Sequence, residues 1–96
     1  NVYPKEIEDV INEIPKILDS AVVGIHHHDF GEAVLAIVVS NDKTLAEIKI
    51  LDFLKDKLAK YKLPKRVIFL DELPRNTMGK VQKKVLRENY LDLFKN

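Results

Sequence analysis

The sequence predicts an α+β domain: a small three-stranded mixed sheet covered by helices, in the order α-β-β-α-β-α. Three observations lead there. Runs rich in β-branched and aliphatic residues fill 20–28 and 32–40, and a shorter one fills Val67–Leu70. Apolar stripes at helical spacing precede, separate and follow these runs. A chain of 96 residues with 46% hydrophobic content suits one small domain around one core.

The first helix opens at Pro4, whose missing N–H costs nothing at a first helical position. Glu6, Glu8 and Asp9 put negative charge in its opening turns, where the helix dipole favours it. Ile7, Val10, Ile11 and Ile14 form the inward stripe, and Pro15 is expected to end the helix at about Ile14. Ala21–Ile25 and Val34–Val39 read as two strands joined by a turn at His28-Asp29-Phe30-Gly31. The near-continuous apolar character of the second predicts burial on both faces. Thr44, with Glu47 three residues on, has the capping-box pattern. It predicts a helix from there to about Lys60, with Leu45, Ile48, Leu51, Leu54 and Leu58 inward and Pro64 as a stop. After the third strand, 71–80 reads as a loop holding Pro74, Asn76 and Gly79. A last helix from about Val81 should bury Val85, Leu86, Tyr90 and Leu93.

Composition excludes several function classes. No apolar run approaches the roughly 18 residues a membrane helix needs. With no cysteine, disulfides and thiolate metal sites are excluded. No segment has the signal-peptide pattern, and a cytoplasmic setting is expected. Asn1-Val2-Tyr3 lacks an initiating Met and reads as the end of an extended segment, as if the chain were cut from a longer one. Net charge is +1 but unevenly spread. Residues 1–56 hold 5 Lys/Arg against 11 Asp/Glu, and 57–87 hold 10 against 2. Such a basic segment suggests an anionic partner, although a solvated, lysine-studded surface gives the same pattern.

Three features invite chemistry. Leu73-Pro74-Arg75-Asn76-Thr77-Met78-Gly79-Lys80-Val81-Gln82-Lys83 is a polar loop ending in a lysine at a helix start. Gly79 permits a positive φ or a close backbone approach, and Lys80 is a compact cation suited to phosphate or carboxylate. A plain surface loop accounts for the same residues, and the phosphate-loop spacing G-x-x-x-x-G-K-[ST] is absent. In His26-His27-His28, strand alternation lets only His26 and His28 share a face, too few ligands for a structural zinc site. No metal is expected there. Lys60-Tyr61-Lys62-Leu63-Pro64-Lys65-Arg66 resembles a nucleic-acid patch but lacks interleaved aromatics and a groove-binding motif. A nucleic-acid or protein interaction module using 57–87 stands as the alternative reading.

Four words in order resemble one family, the adenylate-forming acyl-CoA synthetases, and cover nearly the whole chain. Val2-Tyr3-Pro4-Lys5-Glu6-Ile7-Glu8, with Asn1 before it, resembles the entry to their C-terminal domain. Ala21-Val22-Val23-Gly24 followed by Gly31-Glu32 resembles their A-V-V-G … G-E segment. Lys60–Pro64 resembles Y-K-x-P, and Pro74–Lys80 resembles P-R-x-x-x-G-K. His28–Glu32 and Asn76–Lys83 are most similar to malonyl-CoA synthetases, with Ile25-His26 standing where V-P is common.

The resemblance implies that residues 1–96 form the C-terminal lid domain of an AMP-forming acid–CoA ligase whose large N-terminal adenylation domain lies outside the chain. It implies two half-reactions, in which ATP adenylates a small carboxylic acid of malonate or fatty-acid type and CoA thiol then displaces AMP. It makes Lys80 the adenylation lysine, with Arg75, Asn76, Thr77 and Gly79 as accompanying nucleotide-binding positions. ATP/AMP, CoA and Mg²⁺ belong to the full enzyme, none is held tightly by this chain, and the isolated chain is expected to be inactive. Lys83 and Lys84, one turn on, are expected to matter far less than Lys80.

Overall fold

A computed structural model describes residues 2–95. Asn1, the first residue of the opening word, lies outside them. The elements run α1 (Pro4–Ile11), β1 (Ile17–His27), β2 (Gly31–Ser40), α2 (Glu47–Lys55), β3 (Arg66–Phe69) and α3 (Lys83–Asn89). This is the expected α-β-β-α-β-α order. β1 and β2 pair antiparallel, with Ala21 opposite Ile37 and Val23 opposite Leu35. β3 joins the other edge of β2 in parallel, with Ala36 opposite Val67. The sheet is therefore mixed, in the order β1-β2-β3.

As the central strand, β2 is buried on both faces, as its apolar run predicts. Ala36 and Val38 pack with Ile7, Ile11, Ile50 and Leu54 from α1 and α2. Leu35, Ile37 and Val39 face the other way, toward Leu73 and Leu86. Strand alternation thus makes two cores, with α1 and α2 on one side of the sheet and α3 on the other. Leu86 is the fully buried residue of α3. It anchors the segment that follows the Lys80 loop.

The structure corrects the element ends, each for a local reason. α1 stops at Ile11, not Ile14. Pro15 disfavours helical backbone at the residue before it, and the chain tightens into i→i+3 bonds from Glu13 N to Val10 O and Ile14 N to Ile11 O. The capping box at Thr44 does not form. Thr44 donates its N–H and hydroxyl to Asp42 Oδ1 at 2.9 and 2.6 Å, closing a side-chain turn. These bonds hold the Asp42 carboxyl below the usual carboxylate range. α2 begins at Glu47 and ends at Lys55, and Lys60–Lys62 form a separate 3₁₀ turn.

The inward stripe of α2 also differs. Ile48 is exposed and Ile50 is fully buried. Spacing by three drifts about 60° per step against the helical repeat, so Ile48 and Leu54 cannot share a face, whereas Ile50 and Leu54 do. α3 starts two residues later than expected, and Val85 turns toward solvent while Leu86 faces the core. The first two strands are longer than expected, and the third is Arg66–Phe69, one residue earlier than its apolar run.

Glu47 leaves the cap to tie α2 to β3. Its Oε2 accepts the Val67 N–H at 2.7 Å and Arg66 Nε at 2.8 Å. Burial pushes its carboxyl pKa up, but the Val67 N–H and the Arg66 guanidinium outweigh burial and leave it below the ordinary glutamate value. A depressed carboxylate stabilises the fold above that ordinary value, and the contribution is lost as pH falls through the depressed one. Glu47→Gln should therefore lower the unfolding free energy by about 1 kcal/mol at neutral pH. The difference should close once pH has fallen below the depressed value, where the wild-type carboxylate is also protonated. Urea unfolding at neutral pH and below that value checks this, and a pH-independent difference contradicts it.

Candidate active site

Every backbone polar group of Gly79 and Lys80 has a partner within the loop. Gly79 N donates to Asn76 O at 3.0 Å, closing a tight turn, and Gly79 O accepts Arg75 Nη1 at 2.5 Å. Lys80 N donates to Asn76 Oδ1 at 2.9 Å. Lys80 O accepts Asn76 N at 3.0 Å and Gln82 Nε2 at 3.0 Å. Asn76 Oδ1 also accepts Met78 N at 2.9 Å, so one side-chain oxygen organises both ends of the turn. Gly79 sits at φ +84°, in the left-handed region that favours glycine. Arg75 pairs with Val81 in an isolated antiparallel bridge, which brings the two arms of the loop together.

Long-range contacts hold this loop on the sheet. Arg75 Nη2 is paired with Asp19 of β1. Gln82 N donates to Pro74 O at 2.8 Å. Just past the loop, Lys83 Nζ meets Glu8 Oε2 at 2.8 Å, and that same oxygen accepts Val22 N at 2.8 Å. Asp19, Glu8 and Gln82 support the loop and were not among the expected site residues. Gln82 lies within the Leu73–Lys83 loop word, but no local pattern marks Glu8 and Asp19, which meet the loop only through the fold.

Of the five residues singled out in the loop, Arg75, Asn76 and Gly79 build its shape, while Thr77 and Lys80 are exposed. Among the described residues, no carboxylate lies within 4.0 Å of Lys80 Nζ, whereas Arg75 and Lys83 on either side are paired. The result is a fixed backbone carrying an unengaged cation. Beside it runs an open groove of about 750 Å³, lined by Asn76, Lys80, Lys83, Lys84 and Arg87 with Glu8 at its edge. The carboxylate at that edge is already bound to Lys83, so the groove offers no oxygen set fit for Mg²⁺.

Residues 6–80 match the AMP-binding enzyme C-terminal domain, the last matched residue being Lys80 itself. The chain belongs to that family. It is 47% identical over 90 residues to the long-chain-fatty-acid–CoA ligase FadD13 of Mycobacterium tuberculosis, covering 94% of this chain and 18% of that one. It is likewise 47% identical over 89 residues to the indoleacetate–CoA ligase of Aromatoleum aromaticum, covering 92% and 17%. ATP-bound MatB from Rhodopseudomonas palustris superposes with a TM-score of 0.96 at 56% identity, covering 99% of this chain and 19% of MatB. The chain thus spans about a fifth of these relatives' length. The fold assigned above is that of the family's C-terminal domain.

Two other features of this C-terminal domain resolve differently from expectation. The histidine pair expected on one face, His26 and His28, does not form one: His28 lies beyond the end of β1, in the turn. The structure instead gathers His27, His28 and Asp29 within 4.8 Å. The two rings stack at 4.7 Å with planes 14° apart, so their in-plane lone pairs do not converge on one ion. His27 Nδ1 accepts the Asp29 N–H at 3.0 Å, and His28 Nδ1 donates to Phe94 O at 2.9 Å. The histidines fasten the C-terminal segment to the β1–β2 turn. The basic segment is also partly neutralised. Lys62, Arg66, Arg75 and Lys83 pair with Glu6, Glu47, Asp19 and Glu8, all from the acidic half. Glu6 in turn raises the pKa of Lys62. Family membership leaves the interaction-module alternative without support.

The loop's geometry gives a test. A Cβ at Gly79 would meet nothing within 4 Å, so substitution acts through φ alone. Gly79→Ala should cost about 1–2 kcal/mol of stability, and Gly79→Asn less, because asparagine tolerates left-handed backbone. Denaturant unfolding of the two variants checks this. Equal stability of Gly79→Ala and wild type would show that the turn relaxes.

Proposed function

We propose that this chain, residues 1–96, is the mobile C-terminal lid of an AMP-forming acid–CoA ligase, and that Lys80 is the group it brings to adenylation. The observation that carries the reading is the Gly79–Lys80 backbone, held at all four polar groups, with its ammonium unpaired. A cation fixed in advance costs little reorganisation when charge develops in front of it. Family membership and the ligase activities named for the relatives support the same reading.

In the first half-reaction the carboxylate oxygen of the acid attacks the α-phosphorus of ATP, and pyrophosphate leaves. Both reactants are anions, and their repulsion grows where water is excluded. Lys80 between them would offset that repulsion and the charge spread of the transition state. In the second, the CoA sulfur attacks the acyl carbonyl and AMP leaves. A mobile lid would supply Lys80 for the first step and remove it for the second. Arg75, Asn76 and Gly79 act by shaping the loop, and Thr77 is the exposed side chain left to meet nucleotide. Mg²⁺ would be held by the nucleotide and residues outside this chain. The N-terminal adenylation domain is the proposed partner, and the cytoplasm, where ATP and CoA are at hand, the proposed setting. The words His28–Glu32 and Asn76–Lys83 favour a malonate-type acid over a long fatty acid.

Lys80→Ala in the full ligase should cut adenylation by about 10²–10³ while leaving thioester formation from a supplied acyl-adenylate far less affected. Separate assays of the half-reactions decide it. Equal losses in both would make Lys80 a structural residue, and no loss in either would make the loop a plain surface. The chain alone should show no ATP–pyrophosphate exchange, and exchange by the purified chain would contradict the need for a partner domain.

A further inference from the structure

Folding engages most of the basic segment's cations. Four of its cations pair with carboxylates, and Lys57 and Lys65 lie over the Phe53 and Phe30 rings at 5.2 and 4.5 Å. Among the described residues, Lys60, Lys80, Lys84 and Arg87 have no such partner, and the last three line the same groove. Its carboxylate, Glu8, is already paired with Lys83, and the same Oε2 accepts the Val22 N–H. Three like charges around one concavity repel each other until an anion enters. The occupant must carry several negative charges spread along its length, which a single carboxylate does not. A phosphate chain does, and the planar Arg87 fork suits its oxygens. The groove, at about 750 Å³, is open and large enough for such a chain.

We propose that Lys84 and Arg87 extend the Lys80 site into a binding subsite for the phosphate chain of an adenine nucleotide, supplied by ATP in one half-reaction or by CoA in the other. This rests on the acid–CoA ligase reading above, and it refines the expectation that Lys83 and Lys84 matter far less than Lys80: Lys83 is bound to Glu8, while Lys84 lines the groove without a carboxylate partner among the described residues. Lys84 and Arg87 bind and orient, and Lys80 alone faces the reacting atoms.

The test uses the full ligase with Lys84→Gln, Arg87→Gln, the double variant, and the charge-keeping Lys84→Arg and Arg87→Lys. KM for ATP is read in ATP–pyrophosphate exchange, and KM for CoA from a supplied acyl-adenylate. One of the two should rise roughly two- to fivefold per charge removed, with kcat nearly constant. Which one rises identifies the source of the phosphate chain. The charge-keeping variants should restore it, and added salt should shrink the difference. A fall in kcat with both KM values unchanged would mean a structural role and overturn the subsite. If Lys80→Ala abolishes adenylation and the double variant leaves all constants unchanged, the subsite alone is overturned. If Lys80→Ala leaves adenylation intact, the subsite falls with the reading it rests on.

Discussion

One oxygen of Glu8 accepts the Val22 N–H and the Lys83 ammonium, each at 2.8 Å, and so joins α1, β1 and α3 at a single point. The loop carrying Lys80 ends where this junction begins. Glu8 and Lys83 are mostly shielded, with side-chain exposures of 18% and 33%, so their attraction is less screened than that of a surface pair. On the other arm of the loop, Arg75 ties Asp19 of β1 to the Gly79 carbonyl. Two acidic side chains from the first elements therefore clamp a loop near the end of the chain. Leu86 holds the same segment from beneath through the apolar core.

This arrangement explains the uneven charge of the chain. An acidic first half and a basic second half would each repel themselves if folded separately. Across the sheet, Glu6, Glu8, Asp19 and Glu47 meet Lys62, Lys83, Arg75 and Arg66. Three of the basic segment's four remaining cations, Lys80, Lys84 and Arg87, then share one groove. The loop combines a Gly79–Lys80 backbone held at every polar group with a side chain left free, which suits the role proposed for Lys80.

Much of this was legible in the residues. The apolar run Val34–Val39 marked a strand buried on both faces, and the Ile7/Ile11 stripe marked the core face of α1. The order Pro74 to Lys80 marked the loop, and Gly79 its positive φ. What stayed hidden depended on partners distant in sequence. Thr44 had the pattern of a cap, but Asp42 took its donors and Val67 took Glu47. Ile48 fitted a spacing of three and Ile50 did not, yet the helical repeat buries Ile50. Glu8 looked like a dipole-favoured residue in an opening turn, and nothing near it announced Lys83. Strand alternation separated the histidines correctly within β1 but did not apply to His28 once the strand had ended.

A double-mutant cycle on Glu8 and Lys83 in the full ligase, read by stability and by adenylation rate, tests the junction most directly. Glu8→Gln keeps an acceptor for the Val22 N–H and removes the charge, and Lys83→Gln removes the other. The account predicts that each single variant loses stability and adenylation, and that the double variant loses clearly less than the sum, with a coupling of about 1 kcal/mol. Losses that add to within about 0.3–0.5 kcal/mol, or single variants that adenylate at the wild-type rate, would contradict it.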